Sequence, residues 1–88
     1  MELQGKVIAV LPEKSGKSEK GDWKVQEFVI QTDEKYPKKL LFEVWGADRL
    51  ANFNIKKDDN ILVKFDTDAN ENEGRWFGRN RAYDVKHV

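Results

Sequence analysis

Five segments of the chain have the apolar alternation and the β-branched and aromatic residues typical of β-strands, and only one short stretch suits a helix. This pattern leaves few folds open to 88 residues, which have room for one domain and one modest hydrophobic core. We therefore treat residues 1–88 as a single, mostly β domain. Its strands are predicted at residues 3–11, 23–32, 39–45, 61–65 and 75–85.

The segments between the strands differ in kind. Residues 47–53 can form about two helical turns, with Leu50 and Phe53 on the buried edge because they are three residues apart. Residues 13–22 contain no large apolar residue and are predicted to form a mobile, charged loop. Residues 66–74 are predicted to form a second long polar loop.

The position of the helix favours one β architecture. A local meander does not need a helix between its third and fourth strands. A barrel needs one there if the helix is to close one of its ends. We therefore predict an all-β, five-stranded oligonucleotide/oligosaccharide-binding (OB) barrel with one short helix between strands three and four. An SH3-like barrel or a small α+β sheet would share most of this element order. The predicted core includes Ile30, Phe42, Val44, Ile61, Val63 and Phe65.

Two sets of residue runs carry a family resemblance. Residues 28–32 (Phe-Val-Ile-Gln-Thr), 42–46 (Phe-Glu-Val-Trp-Gly) and 55–63 resemble the bacterial single-stranded-DNA-binding proteins, in which a strand ends in an aromatic residue and Gly before a short helix. The opening run at residues 3–16, again with 42–46, is similar to a short bacterial family catalogued as a domain of unknown function and grouped with OB folds. The resemblance implies a bacterial protein that binds single-stranded DNA.

The fifth predicted strand carries the candidate binding residues. One of its faces holds Arg75, Phe77, Arg79, Arg81, Tyr83 and Val85. Cations and flat rings that alternate in this way are what single-stranded nucleic acid needs for its phosphates and bases. The other face holds Trp76, Gly78, Asn80 and Ala82, and we expect Trp76 to belong to the core.

Three residues on other strands are added to the candidate site. Trp45 lies opposite in parity to the core residues Phe42 and Val44, so it is expected outside the core. Trp23 and Lys24 begin the second predicted strand, beside a loop rich in Lys. The alternative explanation is structural, because Arg on an exposed strand blocks edge aggregation and exposed aromatics can fill a subunit interface.

Net charge and chemistry bound the function. Sixteen basic and sixteen acidic residues give a formal net charge of zero, so nucleic-acid binding must depend on local segregation of charge. The chain has no Cys and a single His, His87, which is too little for the usual nucleophile–base pair or zinc site. We therefore predict no enzyme activity, no cofactor and no metal.

The leading hypothesis is a module that binds single-stranded nucleic acid, with DNA favoured over RNA, by stacking and phosphate neutralisation. The alternative is a protein-interaction or self-assembly barrel in which Trp45 and the aromatics of the fifth strand form a subunit interface, and a homo-oligomer stays open under both. The first residues lack the pattern of a signal peptide, and no apolar run has the length of a membrane span. A soluble, cytoplasmic protein without membrane partners is predicted.

Overall fold

A computed structural model describes all of residues 1–88 as six strands and one helix. No helix has the length and apolar character needed to cross a membrane. The elements, in chain order, are β1 (Glu2–Val10), β2 (Lys14–Ser18), β3 (Gly21–Gln31), β4 (Lys39–Trp45), α1 (Ala47–Phe53), β5 (Asn60–Asn72) and β6 (Arg75–His87).

Five of the strands close into a barrel. The sheet order is β1-β5-β6-β4-β3-β2, and a further pairing of β1 with β3 closes the ring. All pairings are antiparallel except that of β4 with β6, which is parallel and consists of Glu43 opposite Arg81. The short strand β2 lies outside the ring, paired only with β3. The prediction of a five-stranded OB barrel is confirmed, with β2 as an addition to it.

Strand β1 pairs with two other strands, β5 and β3, because it bends. Residues 2–6 pair with β5, and residues 6–10 pair with β3, with a register shift between Val7 and Ala9 inside the second pairing. Gly5 lies at the closest approach, where an added Cβ would stand 2.6 Å from the carbonyl oxygen of Gln31. Any side chain there would push β1 away from β3 and open the barrel.

The core lies inside this ring. It consists of Val7, Phe28, Ile30, Phe42, Val44, Ile61, Val63, Phe65, Ala82 and Val85. All six residues predicted for the core are buried. The rings of Phe28 and Phe42 stack at its centre with centroids 5.6 Å apart.

Helix α1 has the predicted bounds and the predicted buried edge. Leu50 and Phe53 are partly buried and pack against the core. The helix follows Gly46, whose φ of 99° suits glycine, and ends at Asn54 in the left-handed conformation. The helix between the third and fourth barrel strands is thus confirmed.

Both predicted polar loops are wrong, because the structure folds them as hairpins. Strand β2 occupies residues 14–18 and pairs with the start of β3. Strand β5 continues to residue 72 and pairs with β6 as far as Asn72 opposite Arg75. Glu73 and Gly74 form a two-residue turn in which both φ angles are positive, as a type I′ hairpin turn requires. These segments extend beyond the core, so neither face needs apolar residues and no alternation marks them as strands.

Two predicted orientations on β6 are also wrong. Trp76 is 69% exposed instead of buried, because it lies on the part of the β5–β6 hairpin that projects past the core. Val85 is buried in the core, not beside the arginines. A register shift pairs Ala82 with Phe65 and Asp84 with Lys64, so Tyr83 is an extra residue. This bulge reverses the faces of β6 after Tyr83.

Candidate nucleic-acid interface

The two hairpins flank a groove on the outer face of the barrel. The β2–β3 hairpin forms one side and the β5–β6 hairpin the other, with β4 between them. The groove has a volume of about 380 Å³ and is lined by aromatic, acidic and basic side chains, among them Trp23, Trp45, Phe77, Glu27, Glu43 and Arg79. In OB folds this is the face, between the loops that extend from the barrel, on which oligonucleotides bind.

A pair of tryptophans forms one end of the groove. The rings of Trp23 and Trp45 lie with centroids 6.0 Å apart and planes tilted by 47°. Trp23 lies over Gly16 of β2, where an added Cβ would come within 2.5 Å of the indole ring. Trp45 pairs across the strands with Val25, which is buried although it is outside the barrel core. Trp45 therefore lies off the core face, as its parity predicts. It forms a small apolar cluster outside the core with Trp23 and Val25.

Trp45 is held further by a network of charged groups. The Arg81 guanidinium lies 5.6 Å from the centroid of the Trp45 ring, in cation–π geometry. The Nε of Arg81 donates a hydrogen bond of 3.1 Å to Oε1 of Glu43. Nη1 of Arg79 is 3.8 Å from Oε2 of the same carboxylate. The indole Nε1 of Trp45 is buried and has no hydrogen-bond partner. Glu43 thus holds Arg81 over the Trp45 ring and also forms an ion pair with Arg79.

Acidic residues of β5 face the same arginines. Asp66 is opposite Arg81 and Asp68 is opposite Arg79, in the register of the antiparallel pair. Residues directly opposite each other share a face of the sheet, so two further carboxylates lie on the face that carries the guanidinium groups, although only Glu43 forms ion pairs with them. The sequence analysis missed this compensation because it placed residues 66–74 in a loop.

The predicted site residues are not all brought together. Trp23, Trp45, Phe77 and Arg79 line the groove, where Phe77 is 49% exposed, and Arg81 lies next to it over the Trp45 ring. Arg75 lies next to the turn of the β5–β6 hairpin, and Tyr83 lies at the bulge, where it is exposed but does not line the groove.

A second depression lies on the other side of the tryptophan pair. Lys24, Lys17 and Arg49 line it together with Trp23 and Trp45, and the Nζ of Lys24 is 3.1 Å from a carboxylate oxygen of Glu13. Arg49 was missed by the sequence analysis, which considered only the buried edge of the helix. Its place two residues after the start of α1, just past Trp45, is the signal that could have found it.

Comparison with known proteins identifies the family and the fold. The family described as a domain of unknown function (DUF3127) matches residues 2–86. No curated protein sequence matches the chain. Among solved structures, the chain is similar to the single-stranded-DNA-binding (SSB) domain of a Synechococcus protein, with 18% identity and a TM-score of 0.69 over 99% of this chain and 92% of that one.

Two further solved structures share the fold. The mitochondrial single-stranded DNA binding protein of S. cerevisiae has 12% identity and a TM-score of 0.75, over 100% of this chain and 92% of that one. The small single-stranded DNA-binding protein of Streptomyces coelicolor has 14% identity and a TM-score of 0.55, over 100% of this chain and 92% of that one. At these identities the likeness is one of fold.

Proposed function

The chain belongs to the family described as a domain of unknown function (DUF3127), and we propose that it binds single-stranded nucleic acid, DNA in preference to RNA, without catalysis. The observation that carries the proposal is the groove itself. Three aromatic rings, Trp23, Trp45 and Phe77, line one concave surface, and Arg79 lines it with them. Stacking on rings and neutralisation of phosphates are the two interactions on which binding of single strands depends.

The arrangement suggests a path for the strand. Bases stack on Phe77 and on the tryptophan pair, while the backbone passes Arg79 and Arg81 and then reaches the depression with Lys17, Lys24 and Arg49. The fold neighbours named as single-stranded-DNA-binding proteins support this assignment. Bacterial origin and action in the cytoplasm are part of the same proposal.

Titration with oligo-dT at low salt, followed by intrinsic tryptophan fluorescence, tests the proposal. Stacking of bases on Trp23 and Trp45 should quench the emission in a saturable way, and added salt should reverse the quenching. Unchanged fluorescence together with unchanged mobility of a labelled strand would reject nucleic-acid binding.

One observation favours a second function. Trp76 is 69% exposed on a hairpin that projects from the barrel, and Trp is enriched at protein–protein interfaces. In this alternative the protein is an interaction or self-assembly module, with the aromatics of β6 in a subunit interface. Sedimentation of the protein without nucleic acid distinguishes the two: a stable oligomer that dissociates in Trp76→Ala would support the alternative.

A further inference from the structure

Two glutamates lie directly opposite each other at the groove. Glu27 of β3 and Glu43 of β4 are partners in the antiparallel register, so both side chains are on the outer face. Both line the groove, and their side chains are 29% and 10% exposed. Like charges directly opposite in a sheet are destabilising, and partial burial adds to this cost. Nothing in the barrel core requires this pair.

The two carboxylates retain free acceptor capacity. A carboxylate offers about four lone-pair sites for hydrogen bonds. Glu43 accepts one hydrogen bond, from Arg81, and its other oxygen is 3.8 Å from Nη1 of Arg79, beyond hydrogen-bond distance. Glu27 accepts none, and its ion pair with Lys14 has an N–O distance of 3.7 Å. Acceptors therefore face a groove whose aromatic rings are suited to hold a flat ligand.

We propose, on the basis of the function proposed above, that Glu27 and Glu43 select cytosine and adenine, which carry an exocyclic amino group at the position where uracil and thymine carry O4. A base stacked on Trp45 or Phe77 presents its polar edge in the plane of its ring. An amino group on that edge donates a hydrogen bond to a carboxylate, as Glu and Asp do with N4 of cytosine. At the position of that amino group uracil and thymine carry O4, an acceptor that a carboxylate repels, and their donor N3–H lies at the next position along the edge.

The test compares oligo-dC with oligo-dU of equal length, because these bases are alike in size and differ at the amino group. Binding is measured by anisotropy of end-labelled strands at mildly alkaline pH, where cytosine is neutral. The protein should bind oligo-dC about three- to tenfold more tightly than oligo-dU, the net effect of one typical hydrogen bond in a partly exposed groove.

Two variants test whether these glutamates cause the preference for oligo-dC over oligo-dU. Glu43→Gln and Glu27→Gln replace an acceptor by an amide that both donates and accepts, so the dC/dU affinity ratio should fall toward one in each. Glu2→Gln removes the same charge from the exposed start of β1, opposite Lys64, and should leave the ratio unchanged. Thermal unfolding checks that each variant is folded. If Glu43→Gln does not fold, Glu27→Gln alone decides, because its side chain is more exposed.

The outcomes separate this inference from the function on which it depends. Equal binding of both strands by the unaltered protein would overturn the selection and leave the nucleic-acid function standing, with the glutamates serving only to position Arg79 and Arg81. A ratio that stays the same in both Gln variants would also overturn it. Failure to bind either strand would overturn the proposed function itself.

Discussion

The two halves of β5 and β6 contrast sharply within one pair of strands. In the barrel half, Ile61, Val63 and Phe65 alternate with more exposed residues, and Val85 and Ala82 complete the core beside them. In the projecting half, residues 66–72 of β5 are all exposed. The same pair of strands thus contains two regions in which the side chains are under different constraints. Burial dictates the residues of the barrel half, whereas the projecting half is free to carry charges and rings, among them the Phe77 and Arg79 side chains that line the groove.

The largest expected difference between the halves is in stability. Phe42→Ala removes a ring that is buried inside the barrel and stacked on Phe28, so it should lower the free energy of unfolding by about 3–5 kcal/mol. Urea unfolding at equilibrium measures this change in the free energy of unfolding. A loss below about 1 kcal/mol would mean that the barrel core does not hold the fold as described.

Trp45 is partly buried and also lines the groove, so its replacement should affect both stability and binding. Trp45→Ala should weaken binding of oligo-dT by about 1–3 kcal/mol if a base stacks on the ring. Its loss of stability should be smaller than that of Phe42→Ala, because Trp45 covers Val25 from outside the barrel. Affinity and urea unfolding are measured on the same variant. Unchanged affinity with a change in oligomer mass would instead assign the residue to a subunit interface.

The arginines test whether the projecting half acts through charge. For about three to five neutralised phosphates, log affinity for a single strand should fall with log salt at a slope near −2 to −3.5. Replacing Arg79 and Arg81 together by Ala should flatten the slope by roughly one unit or slightly more, since each of the two lost phosphate contacts contributes about 0.7. Glu2→Gln, on the far strand β1, is the control variant, in which the slope should stay the same. A slope near zero in the unaltered protein would favour the interface function.

The smallest effect is expected at Trp76. Its ring is exposed on the projecting hairpin and does not line the groove, so Trp76→Ala should change the free energy of unfolding by no more than about 0.5 kcal/mol. Affinity for oligo-dT should also be unchanged. A large loss in either quantity would show that the hairpin tip is covered, by a second copy or by the bound strand.

The same contrast explains what the sequence could predict. The barrel strands and α1 were predictable because burial of one face imposes a period, of two residues in strands and between three and four at Leu50 and Phe53. The hairpins were not, since no face of residues 66–72 is buried. The orientation of Val85 depends on the bulge at Tyr83, which leaves no mark in the residue pattern.

The candidate site was predictable only as a set of residue types. Alternation on one strand indicated Phe77, Arg79 and Arg81, and parity placed Trp45 on the outer face. Their partners come from distant parts of the chain: Glu43 binds both arginines, and Arg49 enters from the helix. Contacts of this kind depend on strand order and register, which a single sequence does not encode in any local pattern.

The central claim is that the outer groove, not the hairpin tip or the far strand β1, binds the nucleic acid. The three tryptophans provide three separate reporters, because each indole N–H gives its own NMR signal. On titration with oligo-dT, the signals of Trp23 and Trp45 should shift in a saturable way, while that of Trp76 should stay in place. Shifts confined to Trp76, or no shift of any indole at low salt, would contradict the account.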